Sequence, residues 1–239
     1  MNWQYRHTVL ALCMLAFFVT YFARLAISPV VPFIVDDFAV SNTAIGVALS
    51  GMWLAYGAAQ FPSGVLADRF GEQTIILTAL GGTTVASVLL SLAPSFVFFA
   101  FTIVLLGVVA GLHYSVATTL LTRVFTGTGR AIGIHVAGGP MAGLATPIAA
   151  ASVATLFGWR ASLLVGTAVA FPTFLAFAWF IKPTEPRHPD RPLRESLELK
   201  DIVSLITRPK ITYTLLLALT HSVAELPDTR HPTVGRVAA

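Results

Sequence analysis

Six apolar runs, each about 18 residues or longer, dominate this chain and leave room for little besides a bundle of membrane-spanning helices. Within a bilayer no water satisfies backbone N–H and C=O groups, so each crossing segment must close its own hydrogen bonds as a helix. The runs cover about 8–34, 44–66, 74–92, 96–122, 131–156 and 161–181, and a shorter seventh lies near 210–226. Only 11% of residues are charged against 56% hydrophobic, far from the balance of a soluble domain. The first run begins after Arg6 and continues through "ISPVVPFIV", which is longer than the apolar core of a secretory leader. It therefore reads as a spanning helix that stays with the chain. Cys13 is the lone cysteine; it has no internal disulfide partner and reads as a small apolar residue of that helix.

A net charge of +4 does not point to nucleic acid, because the basic residues follow topology instead of clustering with aromatics. With the N-terminus inside, Arg6, Arg69, Arg123, Arg130, Lys182, Arg187, Arg191, Arg194, Lys200, Arg208 and Lys210 all fall on the cytoplasmic side. Outside stands Arg160, opposite the acidic pair Asp36 and Asp37. The positive-inside rule thus predicts a multi-pass protein of the plasma (inner) membrane with a cytoplasmic N-terminus.

Three regions follow: a six-helix bundle over 1–181, a cytoplasmic linker over 182–208, and a partial seventh helix with an irregular tail over 209–239. The linker is rich in proline and mixed charge, and Pro209 suits the first turn of a further helix. That helix is cut short by Glu225, Pro227, Asp228 and Arg230. Within the bundle, sliding the sequence along itself by 87 positions brings Phe38 onto Phe125, Ala44, Ile45 and Gly46 onto Ala131, Ile132 and Gly133, and Gly51 onto Gly138. The same offset sets Phe70 and Gly71 on Phe157 and Gly158. Three helices per copy make the second copy inverted. The expected fold is therefore an all-α membrane protein whose six transmembrane helices form two inverted three-helix repeats, plus a short partial seventh helix.

Between the second and third runs lies "GVLADRFG", which resembles the signature loop of the major facilitator superfamily through Gly64, Leu66, Asp68, Arg69 and Gly71. "GGPMAG" in the fifth run, with Gly139, Pro140 and Gly143, resembles a glycine-proline motif of exporters, and "GWR" leads into the sixth. The resemblance covers helices 1 to 6, the N-terminal half of a family protein that usually has twelve. Two departures stand out. Glu72 and Gln73 occupy positions where the family usually continues with basic residues, and Ile103 stands where a fourth-helix arginine is often found.

The loop also has a physical reading. Gly71 suits a turn needing positive φ, and Gly64 permits a close helix approach. Asp68 lies near a helix C-terminus, where a carboxylate is unfavourable. Its candidate partners are Arg69, Arg130, or the positive end of a helix in another bundle. The resemblance implies the last, so Gly64, Asp68, Arg69, Gly71 and Arg130 are expected to form a gate that latches two bundles together.

Arg24 lies about 16 residues into the first helix, roughly 24 Å from its start, too deep to snorkel to the inner surface. Thr20, Tyr21 and Ser28 are spaced to share its face, and this face would attract an anion or carboxylate. Tyr56 and Gln60 in the second run, and His113 and Tyr114 in the fourth, complete the expected substrate-binding set; Ser115, Thr118 and Thr119 add polarity beside them. His113 offers a titratable group for proton coupling, and His135 a weaker one. Gly107 and Gly111 read as close packing. Gly139, Pro140 and Gly143 read as a kink or a hinge of the fifth helix.

No motif for hydrolysis, nucleotide cradling or metal binding appears, so neither an enzyme nor a cofactor or metal is expected. The resemblance implies secondary transport of a small solute by alternating access, and Arg24 tilts the substrate toward an organic anion. A proton-coupled drug or metabolite exporter is the alternative. A third possibility is a truncated half-transporter, inactive alone, whose partner is a missing C-terminal half or another copy.

Overall fold

The computed structural model describes residues 4–189; the seventh run, the tail and most of the linker lie outside the described residues. Among the described residues, six helical segments are long and apolar enough to cross a membrane: Tyr5–Phe38, Asn42–Phe70, Glu72–Ser91, Phe96–Val124, Thr128–Phe157 and Trp159–Phe180. Each matches a run expected from the sequence to within four residues at either end.

Three of these spans are broken internally. The first consists of α1 (Tyr5–Leu25), a 3-10 turn at Ser28–Val30 and α2 (Val31–Phe38). Pro29 and Pro32 explain the interruption, since each removes a backbone donor and each sits in a first turn, where none is needed. The second and third spans are the continuous helices α3 (Asn42–Phe70) and α4 (Glu72–Ser91). The fourth breaks at Leu112 into α5 (Phe96–Gly111) and α6 (His113–Val124). The fifth breaks at Ala137 into α7 (Thr128–Val136) and α8 (Gly138–Phe157), directly before Gly138, Gly139 and Pro140. The sixth is α9 (Trp159–Phe180).

The internal repeat is visible in the backbone. Gly71 and Gly158, 87 positions apart, are the two glycines at positive φ among the described residues, with φ 85° and ψ 148° in one and φ 86° and ψ 160° in the other. Each ends one span and opens the next, and each donates its N–H to an alanine carbonyl, Ala67 at 2.8 Å and Ala154 at 2.9 Å. The break at Leu112 likewise stands 87 positions beyond Leu25, the last residue of α1. The two copies run in opposite senses. Residues next to Gly71 contact Arg123 and Ile181, whereas Arg160, next to Gly158, contacts Asp37 and Ala93 at the other end.

Lipid is as apolar as leucine, so helices here gain from close contact more than from removing surface from water. Small residues supply that contact. A Cβ on Gly107 would collide with the Met52 carbonyl, and one on Gly111 with that of Tyr56, so α5 lies with its backbone against α3. Gly138 takes the same position against the Met14 carbonyl and brings α8 onto α1. Gly64 differs from expectation, because nothing lies within 4 Å of where its Cβ would be. Several buried hydroxyls are satisfied within their own helices, Thr20 donating to Phe17 O, Thr102 to Phe98 O and Thr146 to Ala142 O, whereas Ser162 donates across to Ala150 O.

Candidate functional site

Arg24 lies in the last turn of α1 and is 1% exposed. Its Nε donates to the Thr20 carbonyl at 3.0 Å, a bond along its own helix that turns the guanidinium toward α3. There it meets a cage of aromatic faces, with ring centroids at 3.8 Å for Tyr56, 4.9 Å for Trp53 and 5.0 Å for Tyr21. Neither terminal nitrogen makes a well-aligned hydrogen bond among the described residues. The Tyr56 ring is the nearest of the three aromatic faces, and no described carboxylate pairs with Arg24. A cation buried without a counter-ion costs several kcal/mol, while a desolvated cation–π contact returns roughly 2 kcal/mol. The site is thus electrostatically incomplete, and an oxyanion beside the guanidinium would complete it.

Phe17, two turns earlier on α1, joins this cage to a second group. Its ring centroid lies 5.7 Å from Tyr21, 5.5 Å from Tyr114, 6.1 Å from His113 and 5.2 Å from His135. The two imidazoles are 5.5 Å apart and both are fully buried, His113 on α6 and His135 on α7. Gly139 makes room for Phe17, since a Cβ there would stand 2.8 Å from its ring edge. A cleft of about 320 Å3 runs between Phe17, Tyr21 and Leu25 on one side and Gly139, Pro140 and Gly143 on the other. Tyr21 and Tyr56 thus lie against Arg24, Phe17 links Tyr21 to His113 and Tyr114, and Gly139, Pro140 and Gly143 line the cleft beside Phe17 and Tyr21.

One expected member stands apart. Ser28 is exposed and begins the 3-10 turn, so the helix face that was to carry it ends before reaching it. Gln60, one turn beyond Tyr56 on α3, is half-buried, and its carbonyl accepts the Ser63 hydroxyl at 2.6 Å. Trp53 and Phe17 are the members that sequence reasoning missed. Trp53 stands three residues before Tyr56, on the same helical face, so its spacing held the signal.

At the end of the bundle that carries Gly71, residues 181–189 cross the loop as a strap. The Gln73 amide Nε2 donates to the Ile181 carbonyl at 2.6 Å, and its backbone N–H donates to Thr184 Oγ1 at 3.1 Å. His188 N–H donates to the Asp68 carbonyl at 2.9 Å, and Arg187 Nη1 stands 3.6 Å from Asp68 Oδ1. The described partner of Asp68 is therefore Arg187, which was not among the expected candidates. Arg69 instead lies beside its neighbour Phe70, and Arg130 is exposed. Glu72, wholly buried, pairs with Arg123 at 2.8 Å. Gly71 adopts the positive φ expected of it, and the Thr184 carbonyl fills the space where a side chain would be. At the opposite end Arg160 pairs with Asp37 at 2.7 Å and donates to the Ala93 carbonyl at 3.1 Å, tying the turns of both repeats together.

The family model of the Major Facilitator Superfamily matches residues 13–225. Among curated proteins, the chain is 29% identical over 189 residues to the probable sulfoacetate transporter SauU of Cupriavidus necator, covering 77% of this chain and 43% of that protein. It is 28% identical over 159 residues to the hexuronate transporter of Bacillus subtilis, covering 66% and 38%. To the multidrug resistance protein MdtG of Citrobacter koseri it is 26% identical over 220 residues, covering 90% and 53%. The chain thus spans about half or less of the length of these relatives. With a family match that runs from the first span past the sixth, the chain belongs to the Major Facilitator Superfamily.

Proposed function

We propose that this bundle is the anion-binding half of a secondary transporter that moves a small organic anion across the inner membrane by alternating access. The observation that carries this reading is Arg24, buried in an aromatic cage with no described counter-ion. Two of the relatives bear the names of anionic solutes, sulfoacetate and hexuronate, which supports the same choice of substrate. The bundle has no enzymatic role in this reading; its N-terminus is cytoplasmic, and its substrate cleft faces a second six-helix bundle. Gly64, Asp68, Arg69, Gly71 and Arg130 serve as the gate toward that partner, and residues 182–208 as the linker. An ion gradient drives transport, and the proton is the preferred coupling ion, with His113 and His135 as its carriers.

The relative named for multidrug resistance favours a second reading, export of a drug or metabolite. Uptake into proteoliposomes separates the two. The chain is reconstituted alone and with a complementary six-helix half, and labelled sulfoacetate, glucuronate and a lipophilic cation are offered. Uptake of an anion only when both halves are present, abolished by Arg24→Ala, is the expected result. Transport of the cation with Arg24→Ala unchanged would establish the exporter instead.

A further inference from the structure

A second cleft, of about 430 Å3, opens at the end of the bundle that carries Gly71, between the first and fifth spans. Its walls include Arg6, His7 and Leu10 from α1, Phe125 before α7, and Arg130 and Ile134 from α7. Among the described residues, no aspartate or glutamate lines it. The two acids at this end whose pairing is described are already engaged, Asp68 with Arg187 and Glu72 with Arg123. Arg130 makes no ion pair among the described residues, and Arg6 lies only over the Phe125 ring, 6.0 Å from its centroid. Two guanidinium groups thus share a concave surface with an apolar floor, an arrangement that concentrates positive potential and raises the local concentration of anions. The first turn of α7 opens onto the same cleft at Gly127, without a side-chain cap, and adds backbone donors of the same sign.

We propose that the cleft between Arg6 and Arg130 is an oxyanion-binding site, taking a carboxylate, sulfonate or phosphate group. It lies on the same pair of spans as the cleft beside Phe17 and Tyr21, nearer the Gly71 end. Between the two, Gly138 closes against the Met14 carbonyl. The two clefts are therefore separate along the α1 seam. The one at Arg6 and Arg130 can hold an anion whether or not Arg24 binds one. The bound group comes either from a soluble anion or from the headgroup of an anionic lipid, whose acyl chain would lie against Leu10 and Ile134.

The test uses the full chain in phosphatidylcholine nanodiscs at low salt, with radiolabelled sulfate as the probe. Because Arg24 is a second candidate for sulfate, binding is measured in Arg24→Gln and in the same chain carrying Arg6→Gln and Arg130→Gln. The added glutamines should weaken sulfate binding roughly tenfold or more, while Arg6→Lys with Arg130→Lys should keep most of it, since charge is the main attraction. A second arm adds phosphatidylglycerol and counts retained lipids by native mass spectrometry. Loss of sulfate binding with unchanged lipid retention assigns the site to soluble oxyanions; lipid that is retained by the parent, lost from the glutamine variant and competitive with sulfate assigns it to a headgroup. Either result supports the site. Equal sulfate binding and equal lipid retention in parent and glutamine variant would overturn it, as would no sulfate binding in Arg24→Gln together with unchanged lipid retention. If Arg24→Gln binds sulfate just as the wild type does and the added glutamines abolish that binding, the site at Arg6 and Arg130 stands and Arg24 takes no part in holding sulfate.

Discussion

Glu72 and Arg123 form an ion pair across two spans, with 2.8 Å between Oε1 and Nε, the carboxylate fully buried and the arginine side chain 27% exposed. Arg123 also donates to the Glu185 carbonyl at 3.3 Å, so the pair joins α4, α6 and the strap. The two members are unequal. Without Glu72, Arg123 can turn to water; without Arg123, a buried carboxylate has lost its counter-ion. Arg123→Ala is therefore expected to destabilise the bundle by about 3 kcal/mol and Glu72→Gln by about 1 kcal/mol. Removing both together should cost less than the sum of the two. Unfolding in mixed micelles checks this, and equal costs for the two single variants would contradict it.

Gly71 and Gly158 permit a matched comparison. Their backbone region is essentially reserved for glycine, so alanine at either is expected to cost about 1–3 kcal/mol in strain. At Gly158 nothing lies near the added Cβ, whereas at Gly71 it meets the Thr184 carbonyl. Gly71→Ala should therefore cost more than Gly158→Ala and should also displace the strap. Identical unfolding free energies would mean that the strap adds nothing to the demand for glycine.

The strap has its own assay. Trypsin cleaves after Arg187, whereas Lys182 is protected by Pro183, and access depends on how often residues 181–189 lift from the loop. Gln73→Ala removes one bond to the Ile181 carbonyl, and each such bond is worth about 1 kcal/mol, so cleavage after Arg187 should accelerate roughly fivefold. An unchanged rate would show that the strap is held mainly by its other contacts.

Close packing of α3 on α5 predicts a contrast between glycines. Gly107→Ala forces the two backbones apart and is expected to cost about 1–3 kcal/mol, whereas Gly46→Ala, with nothing near its Cβ, should stay within about 0.5 kcal/mol of the wild type. Unfolding midpoints at constant slope provide the comparison.

Hydropathy located all six spans because charges and glycines mark their ends; Gly71 announced its own positive φ, and the Phe-Gly pairs at 70–71 and 157–158 announced the repeat, whereas the positive φ of Gly158 was not foreseen. The interior breaks were less legible. Pro29, Pro32 and Pro140 flag two of them, but at Leu112 the apolar composition runs on without interruption and only the neighbouring Gly111 gives a hint. For the site, depth in the first span singled out Arg24, and helical spacing added Tyr21 and Tyr56. That spacing failed at Ser28, because the helix ends at Leu25. Phe17 reads as one apolar residue among many until the fold gathers Tyr21, His113, Tyr114 and His135 around it. The partner of Asp68 was hidden for a similar reason. Arg187 reaches it only because Gln73 and Thr184 fix the path of the strap, and local sequence around either residue says nothing of that path.

The central claim is that Arg24 in its aromatic cage binds a small organic anion, and the fluorescence of Trp53, whose ring lies 4.9 Å from the guanidinium, reports on it directly. The chain in nanodiscs is titrated with sulfoacetate and with glucuronate, and the signal from Trp53→Phe is subtracted. The account predicts a saturable change in Trp53 emission for at least one of these anions, lost or weakened at least about tenfold in Arg24→Gln. No saturable change with either anion, or the same titration curve in Arg24→Gln, would contradict it.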